Sequence, residues 1–309
     1  MIRNRFILSI ALCFIAGISY AQSVSFINTS SDARTVAMGD AGYAMPVTAF
    51  ATHYNSAGVL FSNRAAIGAS YVMWQPDASD NSMVNLGGYC RFSDKFGMAA
   101  GVRHNTLSDI FRTDEQGNPL GNFTPTEYMI DLGIAYRVAK HLGIATTFRY
   151  IDSDLGASSS GSAFAVDIDL MYKLERLSIG LGLSNLGSKI DYGYDKYELP
   201  ARIKAGAMYQ FSFSEKHHLT GSAELDYQLQ PSDFSGINAG VGVEYAYKSL
   251  FALRGGYHIG DEDKTGPSYA SLGCGVNYAG FSLDFAYLLG DSASAMKNTM
   301  LIALSWRLR

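Results

Sequence analysis

Residues 164–172 read Phe164-Ala165-Val166-Asp167-Ile168-Asp169-Leu170-Met171-Tyr172, with Phe, Val, Ile, Leu and Tyr at every second position and Ala, Asp, Asp and Met between them. In an extended strand alternate side chains point to opposite faces, so one side of this segment is oily and the other carries two carboxylates. The same alternation governs 130–136 and 281–287. It recurs in 237–247, with Glu244 on the polar side, and in 219–227, with Glu224 and Asp226 there. Followed along the chain it predicts fourteen strands, near 65–74, 82–92, 96–105, 126–137, 142–151, 162–173, 176–186, 201–213, 217–228, 237–247, 250–259, 268–278, 281–289 and 297–308. Most have the length that a tilted strand needs to cross a bilayer, whereas strands of soluble proteins are usually about five or six residues.

The connections carry the argument further. Gaps of two to four residues alternate with longer ones at 75–81, 106–125, 152–161, 187–200, 229–236, 260–267 and 290–296. Short turns on one side and long loops on the other, with an even strand number, mark an outer-membrane barrel with both termini in the periplasm. In hydrocarbon every backbone N–H and C=O needs a partner, and a closed barrel supplies one to each strand. Twenty tyrosines, seventeen phenylalanines and thirty-two glycines suit such a chain, and aromatics near strand ends, among them Tyr71, Trp74, Tyr136, Tyr172, Tyr209, Tyr245 and Trp306, would form interfacial girdles.

The chain opens with Arg3 and Arg5, an apolar run over 6–16, and Ser19-Tyr20-Ala21, which reads as a secretory signal peptide over 1–21. Cys13 is preceded by Leu12 rather than a small residue, which argues against lipidation. The mature chain then keeps Cys90 and Cys274, with no spacing that suggests a disulfide framework, and 22 basic residues against 28 acidic ones. A basic footprint for nucleic acid is missing.

The polar faces would line the lumen. They offer Asp131, Asp167, Asp169, Glu224, Asp226, Glu244 and Asp284 against Arg103, Arg149, Lys204, Arg254 and Arg307, a mixture that suits internal ion pairs rather than a single-sign ion filter. Residues 22–64 do not alternate. Ser31 or Asp32 can cap a short helix over 33–38, Gly39 can end it, and 51–60 can form a second turn around Asn55, giving a plug of small residues ahead of a barrel over 65–309. A latch between Arg34 and Asp167 or Asp169 is expected to tie plug to wall, because an unpaired buried charge costs several kcal/mol.

Three runs here carry a resemblance: Phe26-Ile27-Asn28-Thr29-Ser30-Ser31-Asp32-Ala33-Arg34, then Ala37-Met38-Gly39-Asp40-Ala41-Gly42-Tyr43-Ala44, then His53-Tyr54-Asn55-Ser56-Ala57-Gly58. Together they resemble the N-terminal signature of the PorV/PorQ family, outer-membrane proteins with fourteen-stranded, FadL-like barrels. Ser70-Tyr71-Val72-Met73-Trp74 resembles the first strand of PorV more than that of PorQ, while Asn55-Ser56-Ala57 departs from the family's usual Asn-Pro-Ala. The resemblance implies a non-enzymatic part in type IX secretion, with secreted cargo or attachment-complex proteins as partners. It singles out Asp32, Arg34, Met38, Gly39, Asp40, Gly42 and Asn55 as motif and plug residues.

Other signals are weak. The glycine patterns at 180–187 and 273–275 sit in strands with no helix after them, so they do not cradle a phosphate. His217-His218 lacks a third ligand at zinc-like spacing, and Asp261-Glu262-Asp263 lacks the glycine and terminal glutamate of a calcium loop. No G-x-S-x-G is present and His53, His104, His141 and His258 are scattered, so no catalytic, metal or cofactor residue is named. Partner binding is expected on the longest loops, 106–125 and 187–200, the second holding Tyr192, Tyr194 and Tyr197 among charges. The alternative is a FadL-like transporter of hydrophobic small molecules, which needs an apolar lumen; the charged inner faces favour the interaction protein.

Overall fold

A computed structural model describes residues 24–308, apart from 78, 115, 157–158, 194, 291–293 and 295. The signal-peptide reading therefore lies outside the described residues. Fourteen long strands close into one barrel: β1 (Ala65–Trp74), β2 (Asn81–Arg91), β3 (Phe96–Thr106), β6 (Thr126–Ala139), β7 (Leu142–Asp154), β8 (Ser160–Lys173), β9 (Leu177–Gly187), β12 (Arg202–Ser214), β13 (His217–Gln228), β14 (Ile237–Tyr247), β15 (Phe251–Ile259), β16 (Tyr269–Tyr278), β17 (Phe281–Leu289) and β18 (Met300–Leu308). Each pairs antiparallel with its neighbours, and β18 returns to β1, so none of the fourteen has a free edge. The fourteen strands read from alternation are these fourteen.

Two further hairpins grow inside the long loops where the sequence reading placed plain connections: β4 (Ile110–Thr113) with β5 (Pro119–Phe123), and β10 (Ile190–Asp191) with β11 (Lys196–Tyr197). They are short and lack a long alternating run, which is why periodicity misses them.

The quoted segment behaves as its pattern dictates. Along β8, Phe164, Ile168, Leu170 and Tyr172 are exposed, whereas Ala165, Asp167, Asp169 and Met171 are buried. For a protein in water that would be inside out. With hydrocarbon outside it is the expected orientation, and it repeats around the wall, from Ile67 on β1 to Leu304 on β18.

What fills the interior is the chain before β1. Ser25–Asn28 and Ala51–His53 form single 3-10 turns, Ser56–Phe61 a longer one, and Ala33–Val36 one turn of α-helix. Asp32 caps that helix, accepting from the Arg34 N–H at 3.3 Å and the Thr35 hydroxyl at 2.8 Å. Gly39 then takes φ +67°, and here glycine is required twice over. Its conformation is left-handed, and a Cβ would lie 2.6 Å from the carbonyl oxygens of Tyr257 and Val241.

The two ends of the barrel differ in charge. Next to the short turns stand Arg64, Arg91, Lys95, Arg137, Lys140, Lys173, Arg176, Lys216, Lys248 and Arg307 against Asp94, Glu175 and Glu215. The long loops lean the other way, with Asp109, Asp114, Asp152, Asp154, Asp191, Asp195, Asp261, Glu262 and Asp263 prominent.

Candidate functional site

The inner wall and the N-terminal segment meet through three charge clusters, each built from side chains that β-alternation turns inward. In the first, Arg149 on β7 sits between Asp131 on β6 and Asp167 on β8, at 2.8 and 2.9 Å. It also donates to the Thr52 carbonyl at 3.2 Å and to the Asn185 side chain. Asn185 stands at a bulge in β9, in the left-handed region (φ +59°), and its N–H donates to Asp167 at 2.6 Å. In the second, Arg254 links Glu244 at 2.6 Å to Asp284 at 2.7 Å, and Arg34 of the N-terminal helix grips the same Glu244 with two parallel bonds of 2.9 and 2.8 Å. In the third, Arg202 pairs with Asp226 at 2.7 Å, whose other oxygen accepts from Asn238 at 3.1 Å.

Arg34 therefore does not latch onto Asp167 or Asp169. Those carboxylates are committed elsewhere: Asp167 to Arg149 and Asn185, Asp169 to the Tyr43 hydroxyl at 2.6 Å and the Ser56 N–H at 3.0 Å. Burial alone would pull the Arg34 guanidinium down, but Glu244 beside it holds it above its ordinary range. Arg103 also differs from expectation. Its partners are the Asn85 side chain at 3.0 Å, the Phe26 carbonyl at 2.7 Å and His53 Nδ1 at 2.6 Å, not a carboxylate. A cation donating to His53 requires that nitrogen to be a lone-pair acceptor. Burial first, and Arg103 second, hold this imidazole well below its usual range, so it is neutral.

The remaining motif residues work as fasteners. Asn55 caps the Ser56–Phe61 turn by accepting from the Ala57 N–H at 3.0 Å, and its amide donates to the carbonyls of Tyr43 at 3.2 Å and Leu170 at 3.0 Å. Tyr43 N–H donates to Glu224 at 2.8 Å, and Lys204 lies over the Tyr43 ring, 5.7 Å from its centroid. Met38 is fully buried near Met208, Ala44 and Met45. Gly42 leaves no room for a side chain, since a Cβ would sit 2.2 Å from the Thr35 methyl. Asp40 accepts from Ser30; burial raises its carboxyl above the ordinary range, opposed by that hydrogen bond and by His258.

At the loop end a cavity of about 990 Å³ lies between the N-terminal segment and the loops. Phe26, Trp74, Met83 and Leu288 line one part, and Arg202, Asn238, His258 and Asp40 another. The 187–200 loop closes over it differently from expectation. Tyr192 is only 3% exposed, its hydroxyl 2.9 Å from Ser153 Oγ, and Tyr197 packs against the same buried cluster; Tyr194 lies outside the described residues. Two of the three tyrosines read as outward anchors thus hold the loop down. The exposed apolar surface is on the other loop, where Ile110, Phe111 and Leu120 of the β4–β5 hairpin are 49, 63 and 56% exposed. Nothing in the sequence pattern of 106–125 singles out these three residues.

Cys90 and Cys274 are both free, and no group of three or more His, Cys, Asp or Glu could hold a metal ion among the described residues. His217 and His218 bond to the Tyr245 hydroxyl and to Ser212 beside a short turn.

Solved structures of the same architecture are outer-membrane channels. The Ralstonia pickettii toluene transporter TbuX matches with a TM-score of 0.62 at 12% identity, covering 92% of this chain and 99% of that one. The Pseudomonas putida toluene transporter TodX gives 0.60 at 11%, covering 88% and 95%. A Pseudomonas aeruginosa FadL homologue gives 0.52 at 11%, covering 91% and 99%. At such identities the likeness is one of fold. No curated protein matches the sequence. The family described as "Type IX secretion system protein PorV" matches residues 18–235, and with the barrel and its occupied lumen in view, the chain belongs to the PorV family of outer-membrane β-barrels.

Proposed function

We propose that this barrel is a non-enzymatic subunit of type IX secretion that binds secreted cargo or an attachment-complex protein at its loop end, with both termini in the periplasm. The observation that carries the reading is the β4–β5 hairpin, which stands off the rim paired only to itself and offers Ile110, Phe111 and Leu120 to a partner. Apolar surface surrounded by charge is the composition of an interface core with its rim. The 187–200 loop is the weaker candidate, because its largest side chains are spent on packing.

Replacing residues 110–123 with an Asn-Gly turn should leave the barrel able to close and should lower co-purification of partners from native outer membranes. Unchanged capture removes the assignment. Sidedness has its own test, in a background where Cys90 and Cys274 are replaced by Ala. A membrane-impermeant thiol reagent on intact cells should label Gln116→Cys in the hairpin turn and leave Ser249→Cys in a short turn unlabelled; the reverse pattern inverts the molecule.

A second reading is a transporter of hydrophobic small molecules. It is favoured by the 990 Å³ cavity, whose apolar part would accept a hydrocarbon, and by the solutes named for TbuX and TodX. Uptake of an aromatic hydrocarbon that depends on this protein, with partner capture unaffected by loss of the hairpin, would put transport in the place of adhesion.

A further inference from the structure

The wall from β12 to β15 contains two kinds of glycine. Gly242 and Gly256 face inward and have an internal reason to be small: a Cβ would lie 2.3 Å from the Met38 carbonyl oxygen in one case and 2.0 Å from the Gly39 nitrogen in the other. Gly221 and Gly255 face outward. A Cβ at Gly221 would meet nothing within 4 Å, and one at Gly255 nothing nearer than Leu272 Cδ2 at 3.8 Å. Among the described residues no contact calls for glycine at either position, and glycine inside a strand weakens it unless something else must come close.

The two outward glycines are in register through Val243, which pairs with both, and the neighbouring row brings Ala207 against Ala223. The result is a groove of about 560 Å³ on the outer wall, with Tyr209, Val241 and Tyr257 standing around it. Its lining is almost wholly apolar, and its place on the wall faces hydrocarbon. Gly221 and Gly255 each lie four residues from the turn-side end of their strands. At ~3.3 Å per residue and a tilt near 45°, that is about 10 Å along the membrane normal, within one leaflet of a core ~30 Å thick.

At the headgroup end of the same strands stand Lys216 and Lys248, both exposed, in turns joined by a 2.7 Å bond from the Lys248 N–H to the Lys216 carbonyl. Glu215 shares one of these turns, but the rim as a whole is strongly basic.

We propose that this groove binds one anionic glycerophospholipid, an acyl chain lying over Gly221 and Gly255 and the phosphate engaging Lys216 and Lys248. The proposal rests on the reading that the short turns face the periplasmic leaflet. Groove and cations are independent features, one apolar and at acyl depth, the other cationic and at headgroup depth, and a lipid of this class is the ligand that spans both.

The test uses the full mature chain in phosphatidylcholine nanodiscs doped with phosphatidylglycerol bearing a photoactivatable acyl chain. Labelling should concentrate on β13–β15, and unlabelled phosphatidylglycerol should compete it away better than phosphatidylcholine. Gly221→Leu with Gly255→Leu should remove most of that labelling while the barrel keeps its heat-modifiable gel mobility, since neither new Cβ meets a clash. Lys216→Gln and Lys248→Gln should each lower the phosphatidylglycerol preference by about fivefold at low salt. Labelling spread evenly around the barrel, or equal competition by both lipids, overturns the proposal. So does efficient cross-linking of Gly221→Cys to a second polypeptide in native membranes, which would make the groove a protein interface. Because both leaflets of the disc hold the probe, the result is independent of which way the chain inserts, and a failure of sidedness shows only in the impermeant-label experiment.

Discussion

His53 offers the cleanest handle on how the lumen is held together. It is neutral when folded, because burial and the Arg103 guanidinium both oppose a second proton, whereas in the unfolded chain it titrates near 6.5. A folded pKa depressed below the unfolded one means that the unfolded chain takes up a proton first as pH falls. Stability is therefore lost on acidification below about pH 6.5, by at most ~1.4 kcal/mol per pH unit for this one group. Urea unfolding in detergent at pH 7 and pH 5 should show a smaller acid loss for His53→Gln than for the natural protein. Arg34 supplies a second test. A double-mutant cycle of Arg34→Met with Glu244→Gln should give a coupling of about 1–3 kcal/mol, and the cycle of Arg34→Met with Asp169→Asn almost none. The sequence places Arg34, Glu244 and Asp169 in one lumen, since the period of two tells which side chains turn inward. It does not tell which strand the helix passes, because that depends on the stagger of the barrel and on the path of a segment with no period at all.

A strand of this wall has two solvents, and its tolerance to charge should alternate with its side chains. Ile168 is 47% exposed on the outer face and Asp169 only 2% exposed inside, one residue away. Ile168→Lys should destabilise by roughly 2–4 kcal/mol near the bilayer midplane, read from unfolding in lipid vesicles. At neighbouring Asp169 a charge already stands on the lumen face, held by the Tyr43 hydroxyl and the Ser56 N–H, and Asp169→Glu should cost far less than Ile168→Lys. That alternation is a local property, which is why all fourteen strands were legible and why their ends are off by only a few residues. The β4–β5 and β10–β11 hairpins were not legible, since strands of two to five residues have too few alternations to read. Tyr192 and Tyr197 failed for a different reason: an aromatic beside charges has the same composition whether it caps the cavity from above or waits for a partner.

For the molecule as a barrel, the consequence of an occupied lumen is impermeability. Planar-bilayer recordings of the natural protein should show no steady conductance, and deletion of residues 24–63 should open one if the strands still close. The charged wall left behind, with Glu224 and Asp169 released from Tyr43 and Ser56 and Glu244 released from Arg34, would give that pore a preference for cations. The architecture itself was written in the turn lengths, but the packing of residues 24–63 against nearly every strand was not, because it is a long-range arrangement of glycines and carbonyls. The order of the chain gives that packing a further meaning. The segment that fills the barrel precedes every strand in the sequence, yet Ser271, which receives the Gly39 N–H at 3.1 Å, stands on β16, two strands before the last. Ser70 on β1 donates to the Ser31 carbonyl at 2.6 Å, so the same segment is moored to the first strand as well. Its berth is complete only when β18 meets β1. The fastenings of this segment therefore straddle the closing seam, and a ring with one stave too few or too many would leave some of its donors without their acceptors.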